Sequence, residues 1–95
     1  MISTDLVELA EAIADRVREH PGVVRLDAGR YGDVVSTGSR SRVVGVRVTG
    51  VDEPVEVGVV LRLDEPIPVL VRSVRCLVRD VVGEVRVDVV VSDVD

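Results

Sequence analysis

The chain has 95 residues, the length of one ordinary domain, with 46% hydrophobic residues, 31% charged residues and a single aromatic, Tyr31. Its net charge is −5 and all twelve basic residues are arginine, a balance that argues against a nucleic-acid binder and against electrostatic adsorption to an anionic bilayer, both of which call for a basic face. The lone cysteine, Cys76, excludes an internal disulfide, and so high a hydrophobic fraction excludes a disordered chain.

With one aromatic available, the core has to be aliphatic. Valine dominates it, a stiff β-branched residue that suits pleated surfaces. The opening residues, Met1 to Asp5, lack the basic stretch and apolar run of a signal peptide, and no apolar run is long enough for a membrane-spanning helix. Ser3 or Thr4 can cap a helix, with Asp5 favourable in its first turn. Leu6, Leu9, Ala10, Ile13, Ala14 and Val17 then recur at helical spacing among charged residues, and Pro21-Gly22 stops the helix.

Val23, Val24 and Leu26 predict a short strand, Gly29-Arg30-Tyr31-Gly32 a turn, and Val34 and Val35 a second short strand. Residues 36–42 are polar and read as a loop, and 42–49 reads as a third strand followed by a turn over 50–54. Val55, Val57, Val59, Leu61 and Leu63 alternate with Glu56, Gly58, Val60 and Arg62, the clearest period of two in the chain, and one apolar face of that strand has to be covered.

Asp64 is the expected cap of a second helix opening with Ile67-Pro68, where prolines are tolerated. Its predicted stripe is Ile67, Leu70, Val74, Leu77 and Val81, and Gly83 ends it; a long strand is the competing reading, which the stripe and the flanking breakers disfavour. Val85, Val87, Val89 and Val91 alternate in a last strand, parallel to its predecessor if the helix between them is a crossover. The expected fold is one α+β domain over 1–95. Two helices lie on one face of a mixed, mostly antiparallel sheet, in the order α-β-β-β-β-α-β.

No spacing supplies catalytic or metal-binding machinery. His20 is the only histidine and stands at a helix end, where an imidazolium would meet the negative pole of the helix; a zinc site needs three or four ligands. Cys76 lies among Arg72, Arg75 and Arg79, which favour a thiolate, but a reactive thiol also wants a base, and His20 is the sole candidate. The Gly29–Gly32 spacing matches the G-x-x-G loop of RNA-binding KH domains, but it falls between strand signals and is better explained as a turn using positive φ. Carboxylates are plentiful without a distinguished pair. Tyr31, an aromatic in a turn, is a contact-anchor candidate, and Arg30, Arg40 and Arg42 are grouped with it as candidate interaction residues. Catalytic, cofactor and metal residues are expected to be none.

The run His20-Pro21-Gly22-Val23-Val24-Arg25-Leu26, then Gly29-Arg30-Tyr31-Gly32-Asp33-Val34 and Val43-Val44-Gly45-Val46-Arg47-Val48, resembles the alkaline shock protein family, the envelope stress response proteins of Gram-positive bacteria. The valine strand at 55–63, the Ile67-Pro68 helix opening and the closing Val-x-Val-x-Val strand continue the likeness. The resemblance implies a small non-enzymatic α+β domain of cytoplasmic proteins that assemble and are held at the membrane by a partner. The expected function is therefore a protein-interaction or scaffold domain, with a protein partner (a membrane-anchored one among the candidates) or further copies of the chain, and with no nucleic acid, direct membrane insertion or cofactor. A small-ligand or enzyme module and a KH-like RNA binder are the alternatives.

Overall fold

A computed structural model describes residues 6–38 and 41–95. The expected capping residues Ser3, Thr4 and Asp5, and Arg40 of the polar loop, lie outside the described residues. The elements are α1 (Leu6–Arg18), β1 (Val23–Leu26), β2 (Val35–Thr37), β3 (Arg42–Val44), β4 (Val46–Val48), β5 (Val55–Leu61), α2 (Ile67–Val82) and β6 (Val87–Val94). Both helices cover one face of a mixed, mostly antiparallel sheet, an α+β fold of the expected class.

The alternating valine segment is the centre of the sheet. β6 runs parallel along the whole of β5, from Val55↔Val87 to Leu61↔Val94, with α2 as the crossover between them. On the other edge two short antiparallel strands share β5 end to end: β4 pairs with its first half at Val46↔Val57, and β1 with its second half at Val23↔Leu61. The two meet at Gly58, whose carbonyl accepts the Asp27 N–H at 2.9 Å and whose N–H donates to the Gly45 carbonyl at 2.8 Å.

That junction corrects the expected strand over 42–49. Gly45 has φ of 90° and turns the chain, so that β3 and β4 fall into separate sheets: β4 joins β5, while β3 pairs only with β2. A side chain at 45 would press on Leu26 Cβ at 2.6 Å, so glycine is needed for space as well as for φ. The second strand is also displaced. Val34 is buried but precedes β2, and Ser36 and Thr37, expected in a loop, are strand residues. Ser36 can be buried there because its hydroxyl donates to the Val46 carbonyl at 2.7 Å and accepts the Val48 N–H at 3.1 Å.

Val55, Val57, Val59 and Leu61 point at the helices and are no more than 1% exposed. α1 meets them with Val7, Ala10, Ile13, Ala14 and Val17, a narrow stripe of small and branched residues. The strand ends at Leu61, short of Leu63, which is exposed; Arg62 already donates its N–H to the Gly22 carbonyl. α2 starts at Ile67 behind Pro66, and Asp64 does not cap it: the Pro66 carbonyl takes the Val69 and Leu70 N–H groups, with no side-chain cap bond. Its buried line is Leu70, Val74 and Val78, one residue every four. Ile67 is exposed and Leu77 only half-buried, contrary to the expected stripe, because α2 lies against α1 on one side and β6 on the other. Gly83, with φ of 83°, closes the helix as expected. The last strand begins at Val87 rather than Val85 and reaches Val94.

Candidate interaction surfaces

β6 and β1 are outer strands of the main sheet, each paired with β5 alone. An unpaired strand edge presents a row of N–H and C=O groups and invites another strand unless it is blocked. Three devices deal with the edges here. Ser36 lies along the outer edge of β4 and consumes the Val46 and Val48 backbone groups. On β6, Val55 N–H bonds to the Arg86 carbonyl, which turns the Val87 carbonyl outward; Arg75 Nε donates to it at 3.1 Å, and Arg79 Nε donates to the Val85 carbonyl just upstream at 3.3 Å. Beyond Val87 no such guard is seen among the described residues.

The Gly29–Gly32 loop passes behind the sheet, on the face opposite the helices. A Cβ at Gly58 would overlap the Asp27 carbonyl oxygen, so only glycine lets this segment lie so close to β5. Asp27 turns the chain by accepting the Gly29 N–H at 3.0 Å. Its carboxyl is held below the ordinary carboxylate range, chiefly by the Ser92 hydroxyl, then by the Gly29 N–H, with partial desolvation opposing and the Arg25 charge assisting. Both Gly29 and Gly32 have positive φ, at 86° and 70°, as a tight turn requires. The loop joins β1 to β2, whereas the KH loop joins two helices.

The candidate interaction residues divide. Arg30 and Tyr31 stand together at the tip of that loop, and Tyr31 is 83% exposed, the most open large apolar residue described. Beneath the loop lies an open hollow of about 540 Å³ floored by Val90 and Val91 of β6, with Asp27, Arg30 and Ser92 around it. Arg42 belongs to a different surface, a hollow between α1 and β3 that adjoins a second one lined by β1. Arg40 lies outside the described residues.

His20 and Cys76 share no hydrogen bond. His20 Nδ1 accepts the Gly22 N–H at 2.9 Å, a local turn contact just beyond α1. Cys76 is exposed on α2. Among the described residues no group of three or more His, Cys, Asp or Glu side chains could hold a metal ion, and no helix is long and apolar enough to cross a membrane.

Sequence reasoning missed Ser36, Gly58 and the Arg75–Arg79 pair. Gly58 did carry a signal, since an isolated glycine inside a strand pattern marks a close backbone approach. Ser36 carried none, because its partners are ten and twelve residues away. No family model, no curated protein and no solved structure matches the chain.

Proposed function

We propose that this chain is a non-enzymatic protein-interaction or scaffold domain acting in the cell-envelope stress response. The observation that carries the interaction reading is the pair of strand edges, β6 beyond Val87 and β1, that a valine-rich sheet leaves without a strand partner. Main-chain pairing at such an edge supplies affinity, and alternate side chains supply selectivity. The exposed Tyr31, next to Arg30 at the loop tip, suits a contact anchor. The link to envelope stress, and to a partner anchored in the membrane, is supported by the resemblance of the 20–48 and 55–91 segments to the alkaline shock proteins.

The test is cross-linking of the tagged chain in its native cells, followed by mass spectrometry, with light scattering of the purified protein over a wide concentration range. A membrane-anchored protein or further copies of the chain should be captured, and capture should fall when Lys, a standard guard of strand edges, replaces a residue of the edge in use, Val90 on β6 or Val24 on β1. A protein that stays monomeric at every concentration and captures nothing would sink the reading.

A further inference from the structure

The groove holding Arg42 is built unlike the other surface hollows. Two contiguous depressions of about 450 and 380 Å³ share Arg18 and Val44. One wall is β1, whose second edge has no strand beside it, and the other is β3, which pairs only with β2. Both strands run toward the same point, since a Cβ at Gly45, the residue after β3, would touch Leu26 Cβ, the last residue of β1. The groove is therefore a wedge, closed at Leu26 and Gly45 and open at Val23 and Arg42. Its floor is α1, from Glu11 to Arg18. Val44 remains 40% exposed within it.

Charge sets its preference. The protein carries −5 overall, yet Arg18, Arg25 and Arg42 ring this wedge. Arg18 is shared with Asp15 at 3.0 Å, while neither Arg25 nor Arg42 forms a salt bridge among the described residues. Glu11 and Asp15 are the acids of the lining. The concentration of arginine at one strand edge of an acidic protein favours an incoming chain that brings carboxylates.

We propose that the wedge between β1 and β3 is the docking groove for an extended, acidic and valine-like segment of a partner protein, which enters as an added strand antiparallel to both walls. The proposal rests on the interaction reading above and specifies which edge is used and by what chemistry. The other edges suit an acidic strand less: β4 is closed by Ser36, the start of β6 is guarded by Arg75 and Arg79, and the open remainder of β6 carries Asp88 and Asp93. In the wedge, main-chain bonds to β1 and β3 would fix the strand, Val44 and Leu26 would meet its apolar side chains, and Arg25 and Arg42 its carboxylates.

The test uses the whole chain and a fluorescent synthetic peptide of alternating Val and Glu, compared with the same peptide carrying Lys for Glu and with one carrying a central Pro. Anisotropy should show the Glu peptide binding about tenfold or more tightly than the Lys peptide, with the Pro peptide lost because it cannot pair. The double variant Arg25→Glu and Arg42→Glu, both exposed positions, should weaken the Glu peptide about tenfold. Amide chemical-shift changes and slowed exchange should concentrate at Val23–Leu26 and Arg42–Val44. The groove is refuted by equal binding of the two charges, by no binding, or by shifts confined to Val87–Val94. It is equally refuted if unlabelled protein at high concentration displaces the peptide, which would make a second copy the occupant. A chain that captures partners in cells while failing here loses the groove and keeps the interaction reading; one that captures nothing loses that reading itself.

Discussion

The Asp27 N–H donates to the Gly58 carbonyl at 2.9 Å, and the Asp27 carbonyl oxygen occupies the space where any side chain at 58 would begin. Here one loop lies against the middle of the central strand, and β1 hands its place beside β5 to β4. Gly58→Ala should therefore lower stability by about 3 kcal/mol, the upper end of what overpacking costs, because the obstacle is backbone and cannot rotate away. A urea melt of purified variant and parent checks this; an unchanged midpoint would mean that the loop does not press on β5. Gly32→Ala is the contrast: its φ of 70° strains any side chain, but nothing lies within 4 Å, so its penalty should be about 1 kcal/mol.

Ser36 offers a polar counterpart. Its hydroxyl satisfies both the Val46 carbonyl and the Val48 N–H in a buried setting. Ser36→Ala leaves both backbone groups without a partner and should cost about 1–3 kcal/mol. The local reading is sharper than the global one: the Val48 amide should exchange with solvent far faster in the variant, while amides in the middle of β5 slow or quicken only with overall stability. Retention of slow exchange at Val48 would show that something other than Ser36 closes that edge.

Asp27 adds an acid dependence. Its carboxyl titrates below the ordinary carboxylate value because the Ser92 hydroxyl and then the Gly29 N–H favour the charged form. A folded pKa below the unfolded one contributes stability that is present above the unfolded value, near pH 4, and is lost as the pH falls through the folded value. The stability curve should therefore drop on the acid side, and Asp27→Asn should flatten that part of the drop. An NMR titration of the Asp27 carboxyl in Ser92→Ala should show its midpoint moving up toward the ordinary value; no movement would assign the shift to the turn alone.

The fold class was legible because its signals are local. The alternation at 55–61 and the helical spacing over 6–18 each state which face is buried, and the two helices have only that face to cover. The interruptions were harder to read. Gly45 looks like a tolerated residue in a valine strand, yet its role depends on Leu26 and Asp27, far away in the chain. The α2 stripe was misplaced toward Leu77 because several apolar residues ring that helix, and only its neighbours decide that Val78 is the buried one. Tyr31 and Arg30 were recognisable as loop-tip residues, but the placement of Arg30 over the hollow at Val90 and Val91 required the path of the loop behind the sheet. The groove at Arg42 was invisible for the same reason: its two walls belong to strands whose separation no periodicity records.

The guarding of β6 yields the last prediction. Arg75 and Arg79 reach from α2 to the Val87 and Val85 carbonyls, and the guanidinium groups leave two fixed positive charges where another strand would have to dock. Removing both as Arg75→Ala and Arg79→Ala leaves the outward carbonyls free and removes that charge barrier, so the exposed edge becomes longer and more apolar. The double variant should self-associate at concentrations where the parent does not, visible as a rise in mass by light scattering and as added sheet signal in the infrared amide band. Loss of the two hydrogen bonds should lower stability by about 1–3 kcal/mol, so association is to be read well below the variant's unfolding midpoint. Adding Val90→Lys, on the face of β6 away from the helices, to the double variant places a new charge on the same strand and should restore the parent's mass. If association persists with that lysine in place, the growing contact does not run along β6, and the arginines serve the helix rather than the edge.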